Sequence, residues 1–571
     1  MGNFLRFFFK KNFILFILII LGFLINLIVI FPSGTYLCLK DRCGLHFWGA
    51  NEFDGVWHLS LANISFKNGF INPLQSNSSI GNYNFLLDYI IYLLSLIGIP
   101  AIISYFKILP VIWFILFTLL TLKLFRLLKK SFLFKVTLLF MFYFGSSLSF
   151  LFSLYHQKTI FGSSGFLVMP AALTLINLQY AYSLIIFLAI VILLISKKDN
   201  FYKKVLILFL IFLSFGLKFY SGVIISFFVG IYLLLTFMKD KKNKNLITLF
   251  INYFLIFIIA FLSILVFYNP FKRNLNSSPL KFSPFSIVHP IIEEKNLFYL
   301  KDLVNARYYI LSTGKLGLKF YLIELISLLI FVIFNFSIRI FGLLFFVYRL
   351  IKKRVNILNL SFFLTIIFST LITVFFVQGS SSGWWNVIQF FYYAIFLSNF
   401  LLADFLDNIK KSFVKASLIF LVILINIPAN LDILKNFDFV FDPKSSYIEN
   451  KELEALEFLR KQPYGVVYKA NYSHYDNSSF KLREKNDSPY VSALTGKPFY
   501  LSSLGLLDLV GIDYSNRYNK IKNKDCREIK NINYFYIIKN TKDVFFEECQ
   551  DNFNKKKVFE NDLVIIYKVL K

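Results

Sequence analysis

Residues 49–60 read GANEFDGVWHLS. Two acids, Glu52 and Asp54, stand two positions apart, and His58 follows Asp54 by four. Just upstream, Phe13–Phe31 runs without a charged residue. That is long enough to cross a hydrocarbon core, which takes roughly 20 residues. Similar runs recur as far as residue 430. The chain of 571 residues is 57% hydrophobic and 16% charged, with 74 Phe. This composition places it among polytopic helical membrane proteins, because a lipid-exposed backbone must satisfy its own hydrogen bonds. The quoted stretch therefore begins where a first span ends.

Arg6, Lys10 and Lys11 precede that span, and no small-residue cleavage site follows it. An uncleaved span with a cytoplasmic N-terminus is expected. Short loops rich in Lys and Arg mark the cytoplasmic side. They occur at Lys197–Lys204, Lys239–Lys244, Arg349–Arg354 and Lys410–Lys415. Working between them sets 32–83, 269–318, 378–384 and everything after about 430 outside. Segment 205–238 becomes a hairpin with GLKFYSG at its outer tip. Segments 84–100, 107–128, 133–153 and 179–196 must join an outer loop to an inner one. Either 162–178 also crosses, giving 13 spans with Lys123–Lys135 outside against the charge rule, or one of the four does not, giving nearer 11. The expected fold is a mainly α, polytopic transmembrane bundle of about 11–13 spans over 1–430. A small extracytoplasmic α/β domain over 431–571 follows it.

The formal net charge of +29 does not indicate a nucleic-acid partner. Its basic residues lie in short loops and in the C-terminal part, not in one aromatic-interleaved stripe. All four cysteines fall on the expected outer side. Cys38 with Cys43, and Cys526 with Cys549, are candidate local disulfides for an oxidising compartment; four unpaired thiols is the alternative.

The first outer loop, of about 50 residues, far exceeds an ordinary connection. Residues 55–67 read as a helix of mixed polarity, suited to the membrane interface with Trp57 at headgroup depth. In the C-terminal part NKELEALEFLRKQ reads as a helix. YGVVYKA, YVSALTG, INYFYIIK and DLVIIYKVLK read as strands, and VFENDLVIIYKV as a terminal hairpin. No Gly-rich phosphate loop, nucleophile elbow or zinc motif occurs there, so it reads as an accessory or acceptor-binding module.

Two carboxylates on one loop can converge on a divalent cation, such as Mg or Mn, or on a hydroxyl. The plainer reading makes Asp54 the N-cap of a helix starting at Gly55, with Glu52 a solvated loop acid. The two readings are compatible, since a cap also fixes a carboxylate in one pose. His58, one helical turn on, shares Asp54's face and is suited to orient it.

These features together resemble the GT-C superfamily of integral membrane glycosyltransferases. They are a long first outer loop with a Glu-x-Asp pair, many spans and a C-terminal outer domain. FDGVWHLSLA (53–62), NYNFLLDYI (82–90) and WWNVIQFFYYAIFL (384–397) also look like segments of bacterial members. In that superfamily the first outer loop carries an acidic motif, and EFD at 52–54 fits its spaced form. Members related to the aminoarabinose transferases have 13 spans, which favours the higher count. The resemblance implies an inverting transfer of a sugar from a polyprenyl-phosphate-linked donor. The acceptor is a saccharide, lipid or protein at the outer face of the cytoplasmic membrane. Asp54, and after it Glu52, is then the general base or metal-assisting acid.

A departing lipid phosphate needs positive charge near it. Lys218 stands inside an apolar hairpin, where a charge marks function or snorkels to the interface. Arg307 ends the second outer loop, which also carries His289, Glu293 and Glu294; arginine matches phosphate bidentately, though a loop arginine is more often solvated. Asp88, beside the second span, is costly to bury unless paired. Gln389 sits one turn into a span behind Trp384 and Trp385, placed to face a groove. Two rivals to a transferase remain: a transporter or flippase of lipid-linked saccharides, and a non-catalytic scaffold displaying 431–571.

Overall fold

The computed structural model describes residues 2–67, 69–162, 167–196, 200–239, 246–268, 280–314, 316–380, 384–438, 444–469, 480–485, 488–539 and 541–570, with backbone alone over 2–12. Parts of the basic loops at 197–199 and 240–244, of the second outer loop at 269–279, and of the turn at 381–383 lie outside the described residues.

Nine helices among the described residues are long and apolar enough to cross a membrane, from Phe13–Ile30 to Ser412–Asn436. Shorter apolar helices, Leu86–Leu96 and Phe132–Phe144, accompany them. The expected extra crossing at 162–178 is not a helix of spanning length. Its described part holds the short 3-10 turn Ala171–Ile176, which begins after Pro170. The long run 319–350 is one bent unit, with helices Leu318–Phe336 and Ile340–Ile351 joined by a turn at Ser337–Arg339. Buried Arg339 holds that bend, donating to Asn399 Oδ1 at 2.6 Å and to the Ser146 carbonyl at 2.8 Å.

The hairpin of Phe201–Leu217 and Phe219–Lys239 turns at Lys218, the single extended residue between its helices. Glycines allow its close packing. A Cβ on Gly222 would lie 2.3 Å from the Phe215 ring, and one on Gly216 would lie 2.5 Å from Phe267. The turn thus carries a lysine into a wall of packed aromatics.

The first loop and the C-terminal part share a core. Strands Thr35–Leu39 and Arg42–Phe47 form a hairpin that pairs Cys38 with Cys43, and those two residues are disulfide-bonded. Ser446–Glu449 adds a third, antiparallel strand, with Phe47 opposite Ser446. The backbone of Pro73–Ser76 bonds to Phe499 and Ser502, and Arg517 donates to the Ser76 carbonyl at 2.5 Å. The expected division at 430 falls inside the helix Ser412–Asn436. The four-stranded sheet has Val467–Lys469 parallel to Tyr534–Ile538, then antiparallel Val564–Val569 and Lys555–Glu560. The last two are the expected terminal hairpin. Cys526 and Cys549 form the second disulfide.

Two local readings change. YVSALTG is the helix Tyr490–Thr495, closed by Gly496 in the left-handed region at φ +69°. Residues 55–67 do form helix, Asp54–Ser60 continued by the π-turn Leu61–Ser65, but not at a lipid interface. Trp57 is 1% exposed, and the helix packs inside the protein against Tyr490–Thr495.

Candidate active site

Asp54 is the first residue of its helix, not the cap. Phe53 holds the cap position with no side-chain bond, and its carbonyl accepts from the Trp57 amide at 2.8 Å. A carboxylate in the first helical turn still gains from the aligned peptide dipoles. Gly55 lets the helix sit against Phe106, where a Cβ would come within 2.9 Å. This contact leaves Asp54 facing a cavity of about 460 Å³. The size suits a small organic ligand.

Lys218 lines the same cavity, and its Nζ donates to Asn177 Oδ1 at 3.4 Å. Asp54 is itself exposed, opening into the cavity; the protein packed around it still displaces water and raises its carboxyl above the ordinary value, and His58 and Lys218 oppose the shift. Neutral polar groups complete the wall, among them Asn82, Asn84, Gln179, Gln378 and Gln389. Asn84 Nδ2, Gln179 Oε1 and Gln389 Oε1 are buried with no hydrogen-bond partner among the described residues. Buried polar groups are normally paired, so unpaired ones around a cavity mark places for ligand or water.

His58 also lines the cavity but does not bond to Asp54. Its Nδ1 lies 2.9 Å from Asp88 Oδ1 and 2.8 Å from the Gln179 amide, and the Tyr83 hydroxyl lies 3.4 Å from Nε2. Its ring stacks on Tyr105 at 5.8 Å. Asp88 is 0% exposed and stands behind His58, off the cavity wall.

Glu52 points elsewhere. Lys485 donates to its carboxylate at 2.6 Å and Ser446 also bonds to it, so it ties the loop to the C-terminal part. The two acids of EFD therefore do not converge. No group of three or more His, Cys, Asp or Glu among the described residues is placed to hold a metal ion. The described cavity wall offers one carboxylate and one ammonium, a donor set that does not fit Mg or Mn.

Arg307 and His289 are not at this cavity either. Arg307 donates to Glu324 at 2.8 Å and Glu293 at 2.9 Å, and its Nη2 lies 3.1 Å from His289 Nδ1. Burial and the guanidinium lower His289 to about 4. Of the residues singled out from sequence, the structure brings Asp54, His58, Lys218 and Gln389 to one cavity, with Asp88 behind. Sequence reading passed over Tyr83, Gln179 and Asn177, and also Leu509 and Val510, which the C-terminal part adds to the wall. Gln179 and Asn177 carried a signal, as amides beside a spanning apolar run; Leu509 and Val510 carried none.

No family model and no curated protein matches the sequence. Solved structures match in fold. The chain aligns with the arabinofuranosyltransferase AftD from Mycobacteria at a TM-score of 0.51 and 10% identity, covering 98% of this chain and 40% of that one. The chain has the GT-C fold. An oligosaccharyltransferase from Archaeoglobus fulgidus is also similar, at 14% identity and a TM-score of 0.49, over 93% of this chain and 70% of that one. So is ArnT from Cupriavidus metallidurans, at 9% and 0.43, over 96% and 97%. In this chain the first loop, the 201–239 hairpin and the C-terminal part all contribute side chains to one cavity.

Proposed function

We propose that this protein is a membrane glycosyltransferase that moves a sugar from a polyprenyl-phosphate-linked donor to an acceptor at the outer face of the cytoplasmic membrane. One observation carries the reading: Asp54 and Lys218 line the same cavity, whose remaining polar wall is largely amide and hydroxyl. The fold shared with an arabinofuranosyltransferase supports it. The loop and helix tips around the cavity are those that the positive-inside rule puts outside.

The chemistry follows from the groups present. Asp54 accepts the proton of the acceptor hydroxyl as that oxygen attacks the anomeric carbon. The bond from that carbon to the lipid phosphate breaks, and Lys218 offsets the negative charge left on phosphate. Attack opposite the leaving group inverts the anomeric centre. Asn and Gln side chains both donate and accept, so they suit the hydroxyls of a sugar. Leu509 and Val510 give the acceptor side an apolar wall.

The test is sugar transfer in liposomes from a polyprenyl-phosphate-linked donor, comparing wild type with Asp54→Asn. Transfer by wild type and its loss in the variant support the reading. Undiminished transfer by Asp54→Asn removes Asp54 as the base. Movement of lipid-linked saccharide across the bilayer without transfer identifies a flippase instead.

A further inference from the structure

The mechanism above leaves one buried pair unused. His58 and Asp88 come from different helices, are 4% and 0% exposed, and meet at 2.9 Å. A buried carboxylate is expensive unless a partner compensates it. Asp88 Oδ2 is buried with no hydrogen-bond partner among the described residues, so the Asp88 contact that the structure records is through Oδ1 to the imidazole. An Nδ1–H held on Asp88, with the Gln179 amide turned to present its oxygen to the ring, fixes the tautomer and leaves Nε2 to take a proton. Nε2 faces Tyr83 on the cavity side, one helical turn from Asp54. An interhelical staple needs no access to the cavity, but His58 has it.

We propose that His58 is the proton receiver for Asp54, with Asp88 as its positioning residue. This deepens the transfer reading and rests on it. In each turnover the acceptor O–H bond breaks and its oxygen bonds to the anomeric carbon. The bond from that carbon to phosphate oxygen breaks, and its electron pair leaves with the lipid phosphate. The proton goes first to the Asp54 carboxylate and then, through water in the cavity, to His58 Nε2, which restores the Asp54 anion. Asp88 balances the imidazolium, and the proton leaves to water in the cavity. The groups facing His58 are Asp54 on its own helix, Asp88 on Leu86–Leu96, Tyr83 in the preceding loop, Tyr105 on the π-turn Ser104–Ile108, and Gln179 on Leu178–Ile195; Lys218 supplies the cation across the cavity.

The test uses the full-length protein in liposomes. His58→Gln keeps a polar group against Asp88 but carries no proton. Its kcat falls about 100-fold, with donor KM and melting temperature near wild type. Added imidazole restores part of the rate in His58→Ala, and Asp88→Asn, which keeps the shape, lowers kcat without raising donor KM. Three results overturn the proposal: wild-type kcat in His58→Gln, a loss that tracks melting temperature alone, or no imidazole rescue. If Asp54→Asn is inactive while His58→Gln is not, the relay fails and the transfer reading stands. If wild type transfers no sugar, both fail.

Discussion

Two of the ionic groupings among the described residues are built on opposite plans. Around Arg307 the guanidinium meets Glu324, Glu293 and His289, all within 3.1 Å. Around Lys218 a single ammonium reaches Asn177 at 3.4 Å and otherwise faces a cavity shared with Asp54. The first cluster spends its charges on itself. The second leaves charge and amide groups open. Both cations were candidates for the phosphate in sequence, Lys218 ahead of Arg307, because arginine suits phosphate but a loop arginine is more often solvated. The structure separates the two by what each cation already holds. An ionisable group with every bond made stabilises the fold, and one facing a lined cavity is available for chemistry.

Substitutions can break this contrast, and the largest effect is expected at Asp54. Asp54→Asn lowers transfer by up to about 10⁴-fold and leaves the melting temperature unchanged, because the side chain faces the cavity. Arg307→Met acts the other way. It strands Glu324, which is 1% exposed, and costs about 3–5 kcal/mol of stability in a denaturation assay. Transfer per folded molecule stays at the wild-type level. Lys218→Met lowers kcat/KM about 100-fold without destabilising the protein, and a thermal melt beside the transfer assay checks both halves. Glu52→Gln is the mildest, because it weakens the tie to Lys485. It costs about 1–2 kcal/mol and leaves kcat unchanged.

The pH profile sharpens the same contrast. Asp54 works as a base only when ionised, and the protein packed around the cavity mouth displaces water and raises its carboxyl above the ordinary value. Transfer is therefore lost on the acid side at a pH above the ordinary Asp range near about 3.9. Asp54→Asn removes that limb from whatever rate remains, and Arg307→Met does not move it.

The spans were legible because long apolar runs need no tertiary information. Asp54 stood out as a candidate because an acid beyond a first span, with a histidine one turn later, is unusual against that background, and the structure places it on a cavity wall. The terminal hairpin was legible over 558–569 from local pattern, and the two disulfides stood as candidates beside four unpaired thiols because all four cysteines fall on the expected outer side. What the sequence hid depends on contacts between distant positions. Glu52 looked like Asp54's partner, but its own partners, Ser446 and Lys485, lie about 400 residues away. Trp57 read as interfacial because nothing local announces that Tyr490–Thr495 will cover its helix. That helix was itself misread as a strand, although Pro489 before it and Gly496 after it are helix-end signals that outweigh a short apolar alternation. His58 was assigned to Asp54 by helical spacing, whereas the structure gives it to Asp88 on another helix.

The most direct measurement is a cryo-EM map of the protein in lipid with a polyprenyl-phosphate-linked sugar. The account predicts phosphate density beside Lys218 Nζ and the sugar toward Asp54, with the cluster at Arg307 unchanged. Phosphate density on Arg307, or a cavity that stays empty while the lipid binds elsewhere, contradicts it.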